Sequence, residues 1–348
     1  MSPEPGPPAD LQALARRNHG LRLAFAVALG LTIEISRGAI LPPLAPVIGL
    51  QLLAMRRSVP TGGFVIGLLG VITAACLFAY AVATLTVGNT LLFAIGLGGI
   101  YLWSYAMALS PRTGPIGVMF LTMGIVVTTL SAVSTGLALY LVVELIVSVV
   151  IGIALVFAAH LVFAHPEAVA ETPKRAGPAT ASLPVARQAL LATLIMLPLH
   201  LYLSADGLAA MVILMTVATM LRQPGIAQSV RYGVTFAAGN LVGGVLASMA
   251  VLIVALHQSV TMLATVAAAG ALLMAWSLDR SAAMAQILLP GFVAFTLLFG
   301  LAFAPVTLGA QVAFVERVSQ IMVAALYALC ATSLVAPLLT PRPRAAPT

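Results

Sequence analysis

Four carboxylates stand in or beside long apolar runs of this sequence: Glu34, Glu144, Asp206 and Glu316. A charged carboxylate at the centre of a membrane-spanning helix costs roughly 2.5–3.5 kcal/mol, so each must pair, take up a proton or face water. Glu144, Ser148 and Gly152 recur every four residues, and Glu316, Gln320 and Ala324 repeat the pattern 172 positions later. That spacing puts each trio on one helical face, and their small and polar members predict a face turned into a helix bundle. A carboxylate in such a setting suits reversible proton binding. Arg317, beside Glu316, is read as pairing with an acid or orienting an anionic substrate. Glu144, Glu316 and Arg317 are therefore the leading proton- or substrate-binding candidates, with Ser148 and Gln320 on the same faces.

Glu34 and Arg37 are three residues apart, within reach of an ion pair along one helix, and both are expected to snorkel to the membrane surface. Asp206 reads as the cap that begins a helix. His160 and His200 lie within apolar runs, where packing is the first reading and proton relay the second. Tyr101, Trp103 and Tyr105 read as an interfacial aromatic belt. Gly239 and Gly243 form a GxxxG pair of the kind that packs helices closely, and Cys76 and Cys330 read as packing residues. No Cys or His cluster has the spacing of metal ligands, and no cofactor is implied. The phosphate loop GxxxxGK[ST] is missing and the only lysine is Lys174, so ATP has no such site. HExxH and GxSxG are missing too, and no connection is long enough for a catalytic site outside the membrane, so an enzyme is not expected.

These side chains need a framework, and the composition dictates which. Hydrophobic residues make up 61% of the 348 and charged residues 7%, with a mean hydropathy of +1.13, so lipid must be the solvent. Apolar runs predict spans over 21–36, 40–55, 62–86, 89–108, 115–131 and 136–163, then over 187–203, 207–221, 229–256, 259–277, 285–304 and 311–337. Residues 164–186, rich in Pro, Ala, Thr and Ser, read as a cytosolic linker. The expected fold is an all-α integral membrane protein of about twelve transmembrane helices in two parallel six-helix repeats, 21–163 and 187–337, with cytosolic tails 1–20 and 338–348.

All but two of the 16 Lys and Arg residues fall on one set of alternate connections, the exceptions being Arg37 and Arg317. The positive-inside rule makes that side, and both termini, cytoplasmic. The net charge of +7 is accounted for by this distribution, and no nucleic-acid partner is expected. Arg16, Arg17 and Arg22 precede the first span without a small-residue cleavage site, so that span is expected to be retained. The second and eighth spans are short, and Pro42, Pro43 and Pro46 interrupt the second. Short or proline-broken segments at matching places in two halves point to a substrate path.

Several runs resemble a known family. They are Leu21 to Gly30, then Leu44-Ala45-Pro46-Val47-Ile48 leading to Leu52-Leu53, then Arg231 followed by Gly239-Asn240-Leu241-Val242-Gly243-Gly244, and the helix of Arg317. Together they resemble the fusaric acid resistance superfamily, in its compact, membrane-only branch known as a domain of unknown function. The likeness covers about residues 18–337, although the spacing from Arg231 to Gly239 is longer than the family's and its large cytosolic domains are missing. It implies an exporter of aromatic acids in the bacterial inner membrane, often working beside a periplasmic adaptor of the membrane-fusion type. The expected function is proton-driven export of small amphipathic, aromatic and anionic compounds, with a homo-oligomer left open. A non-transporting subunit that docks an adaptor, and a passive anion channel, are the alternatives. A major-facilitator carrier is disfavoured because Met55-Arg56-Arg57-Ser58 lacks that family's Gly-x-x-x-Asp-Arg-x-Gly.

Overall fold

In lipid, a chain built from runs of Ala, Leu, Val and Ile can satisfy its backbone N–H and C=O groups only within a helix or a closed barrel. This chain uses helices. The computed structural model describes residues 9–55, 58–86, 88–163, 184–204, 208–222, 226–278, 282–304, 320, 323–324 and 326–334, and no strand occurs among them. The order is α1 (Ala9–Ser36), α2 (Leu44–Met55), α3 (Gly62–Thr86), α4 (Thr90–Ala108), α5 (Gly114–Val133), α6 (Thr135–Val162), α7 (Val185–Leu203), α8 (Leu208–Leu221), α9 (Ile226–Leu256), α10 (Val260–Leu278) and α11 (Ala282–Ala302). A further helical stretch, 326–334, is labelled α12. Among the described residues nine helices are long and apolar enough to cross a bilayer. α2, with 12 residues, and α8, with 14, are shorter.

The helices fall into two compact units, each drawing on both halves of the sequence. The first gathers α1, α2, α6 from Val143, α9 from Thr235, α10 and α11. The second gathers α3 from Gly70, α4, α5, α7, α8 and α12. In the first unit α1 packs along α10 and α2, and α11 packs on α10 and α2. The GxxxG pair makes a close crossing here: a Cβ on Gly243 would collide with the Gly291 carbonyl oxygen of α11. In the second unit α4 packs between α5 and α7, and α8 joins both of these.

Three sequence expectations change. Tyr101 and Tyr105 are fully buried in the second unit's core and only Trp103 is exposed, so the belt reduces to one residue. Residues four apart share a helical face, whereas the residue between them points the other way. Cys76 is buried as expected, but Cys330 is exposed. The prolines do not break the second span. Pro42 and Pro43 form the turn before α2, and Pro46 sits in its first turn, where a missing N–H costs no helical hydrogen bond. All three are buried, and Pro43 packs against Gly300 of α11.

Candidate functional site

The site lies in the first unit, at the end of α1. The helix stops in a Schellman motif: the Ala39 N–H donates to Glu34 O at 3.0 Å and the Gly38 N–H to Ile35 O at 3.1 Å. Gly38 has φ +68°, a left-handed conformation that glycine adopts without strain. This turn makes Arg37 the capping residue. Its side chain leaves the helix end with the guanidinium directed at two carboxylates, one from its own helix and one from α6.

Arg37 Nε donates to Glu34 Oε2 at 2.8 Å. Nη1 and Nη2 donate to Glu144 Oε2 and Oε1 at 3.3 and 2.5 Å, a bidentate grip. The Ser148 hydroxyl donates to Glu34 Oε1 at 3.4 Å, so both oxygens of that carboxylate are engaged. Glu34 is 0% and Glu144 6% exposed. Arg37 lies one residue beyond the candidate span Ala13–Ser36. Burial works against its charge, but hydrogen bonds to Glu144 and Glu34 outweigh that and raise its pKa above the ordinary arginine value.

The neighbouring helices are held in register by contacts far from the charges. A Cβ on Gly152 would sit 2.9 Å from the Ala45 carbonyl oxygen, so only glycine lets α6 approach α2 this closely. Near the middle of α1, the fully buried Arg22 donates from Nε to Phe163 O at 2.8 Å, just past the C-terminal end of α6. A cation at that helix terminus also meets the negative end of the helix dipole. The two arginines thus tie the C-terminal half of α1 to α6 at two well-separated points.

With both carboxylates ionised, one exposed guanidinium serves two buried negative charges, and the cluster carries a net charge of −1. Such a group is costly unless a proton or another cation joins it. The geometry therefore supports competition between Glu144 and another carboxylate for the bidentate face of Arg37.

Of the residues singled out by sequence, Glu34, Glu144 and Ser148 come together. Of the pair expected to snorkel, Arg37 is exposed, whereas the Glu34 carboxylate is turned inward to Arg37 and Ser148. Glu144 is paired with Arg37, which its spacing in the sequence joins only to Glu34. Glu316, Arg317 and Asp206 lie outside the described residues, and Gln320 is half-buried in the second unit. His160 Nδ1 bonds its own helix at Val156 O, 2.8 Å away, as a packing histidine does.

No family model, no curated protein and no solved structure matches this chain. Fold and composition define an all-α protein embedded in a membrane, and the function has to be argued from the ion-paired cluster.

Proposed function

We propose that the chain is a proton-coupled transporter of small amphipathic aromatic anions in the bacterial inner membrane, with both termini cytoplasmic. The observation that carries the reading is the bidentate pairing of buried Glu144 with Arg37. Glu144 occupies the guanidinium as a substrate carboxylate would, and an acid can bind only when Glu144 lets go. Protonating Glu144 frees those donors, with Ser148 and Glu34 retaining the remaining hydrogen bonds. Proton and anion then favour each other's binding and cross together, which spares the membrane a net charge. Export on this scheme runs on the outward gradient of the acid itself, with the proton leaving alongside. This differs from the proton-driven export read from the sequence, since an inward proton gradient opposes it.

The resemblance to aromatic-acid exporters supports the substrate class, and a membrane-fusion-type adaptor is the partner it suggests. Twelve spans in two parallel halves remain the preferred topology. In its support, α4 and α10 are both 19 residues long. Asn89 and Ser259, 170 positions apart, each accept a hydrogen bond from the backbone N–H three residues on. Leu97, Ile100, Tyr101, Ser104 and Tyr105 are buried in α4, and Ala267, Gly270, Ala271, Met274 and Ala275, each 170 positions on, are buried in α10.

The test is uptake and efflux of 4-hydroxybenzoate by proteoliposomes containing wild type, Glu144→Gln or Arg37→Gln. Wild-type transport should quicken as pH falls on the side of entry. Arg37→Gln should slow it about a hundredfold, the loss of one charge-assisted contact of about 2.8 kcal/mol. Glu144→Gln should retain transport but lose the pH dependence. Wild-type rate in Arg37→Gln, or wild-type pH dependence in Glu144→Gln, would rule the reading out.

A further inference from the structure

The second unit holds a buried polar chain that the ion-paired cluster does not use. His200 of α7, 0% exposed, bonds through Nδ1 to the Tyr101 hydroxyl of α4. Its Nε2 lies 3.5 Å from Thr128 Oγ1 and 3.4 Å from Thr129 Oγ1 of α5. The two threonine hydroxyls have already given their protons to Gly124 O and Ile125 O. Their oxygens therefore present lone pairs to the ring, so Nε2 carries the hydrogen and Nδ1 accepts from Tyr101.

Beyond each end of this chain stands a hydroxyl with no hydrogen-bond partner among the described residues: Tyr105, fully buried one turn from Tyr101, and Ser131, 4% exposed one turn from Thr128. The rings of Tyr101 and Tyr105 have centroids 6.4 Å apart. A buried hydroxyl without a partner is costly, and a site where water docks resolves that cost. Tyr105 lies near the turn that joins α4 to α5, and Ser131 lies near the far end of α5. At 1.5 Å per residue their backbones are on the order of 20 Å apart along the bundle, most of a hydrocarbon core about 30 Å thick.

The geometry points to a proton path through the second unit, running Tyr105, Tyr101, His200, Thr128 and Thr129, Ser131. In one transfer, a proton reaches the Tyr101 oxygen from the Tyr105 side as Tyr101 passes its own proton to Nδ1. The imidazolium then releases the Nε2 proton to a threonine oxygen as that hydroxyl's own proton swings from its helix carbonyl and leaves toward the Ser131 side. One proton has entered and one has left, His200 is neutral in its other tautomer, and rotation of the imidazole restores the starting arrangement before the next proton passes the same way.

The titratable groups facing His200 are few. From α4 they are Tyr101 and Tyr105, and α5 and α8 contribute none among the described residues. Arg222, just past α8, acts electrostatically on Tyr105, and Tyr327 of α12 donates to Ile195 O on α7. The path deepens the proton-coupled reading and rests on the chain being a membrane transporter. It is read out without any acid present, so it stands or falls separately from aromatic-acid transport.

The experiment reconstitutes the full chain in vesicles with a pH-sensitive dye in the lumen and drives protons with a potassium diffusion potential. Wild type should conduct protons above protein-free vesicles. Tyr101→Phe and His200→Gln should each lower the flux about a hundredfold, the smallest effect typical of a positioned proton-transfer group. Tyr105→Phe removes only an unpaired hydroxyl, so it tests the path without threatening the fold, and it should lower the flux as well. Wild-type vesicles that do not conduct would overturn the path, as would unchanged flux in Tyr105→Phe and Tyr101→Phe.

Discussion

Arg37 is placed by backbone geometry as much as by charge. The Schellman turn depends on Gly38, and alanine there must hold a left-handed conformation that costs it about 1 kcal/mol. Since a Cβ on Gly38 would meet nothing within 4 Å, the cost is conformational alone. Gly38→Ala should therefore lower thermal stability modestly, by about 1 kcal/mol, and shift the pH dependence of transport by displacing Arg37. An unchanged melting temperature with unchanged transport would count against the role given to this turn. The sequence already pairs Glu34 with Arg37, because residues three apart meet on a helix. It is silent about Glu144, which is 107 residues away from its partner and belongs to a different helix. No local spacing records a contact of that kind.

At the scale of elements, apolar runs locate most spans within a few residues, since burial in lipid leaves few ways to satisfy a backbone. Less legible is which side of each helix looks inward. Tyr101 and Tyr105 resemble interfacial aromatics in sequence, and only the α4–α7 contact shows them to be core. The same distinction separates the glycines. At Gly243 a Cβ would collide with the backbone of α11, whereas at Gly67 it would meet nothing within 4 Å. Gly243→Val should force α9 from α11 and cost at least about 1–3 kcal/mol, and Gly67→Val should be close to neutral. Thermal unfolding of the two variants in detergent checks this, and equal stability would remove the close crossing from the account.

For the whole molecule, a division into sequential halves at the polar stretch between α6 and α7 is easy to read from composition. The units are not sequential: α1, α2 and most of α6 pack with α9, α10 and α11, and α3 to α5 pack with α7, α8 and α12. Periodicity cannot reveal this, because every helix here has an apolar surface that would suit several neighbours. It follows that neither half contains a complete unit. Expressed separately, 1–175 and 176–348 should each fail to give a monodisperse membrane protein, whereas co-expression should recover the assembled pair. A stable, monodisperse single half would contradict the division.

The central claim is that an acid and a proton bind together at Glu34, Arg37 and Glu144. Calorimetric titration of the purified protein with 4-hydroxybenzoate, in two buffers of different ionisation heat, measures the protons exchanged on binding. Uptake of about one proton per acid bound is predicted, falling toward zero in Glu144→Gln, with affinity rising as pH falls. Proton release on binding, or none in the wild type, would contradict it.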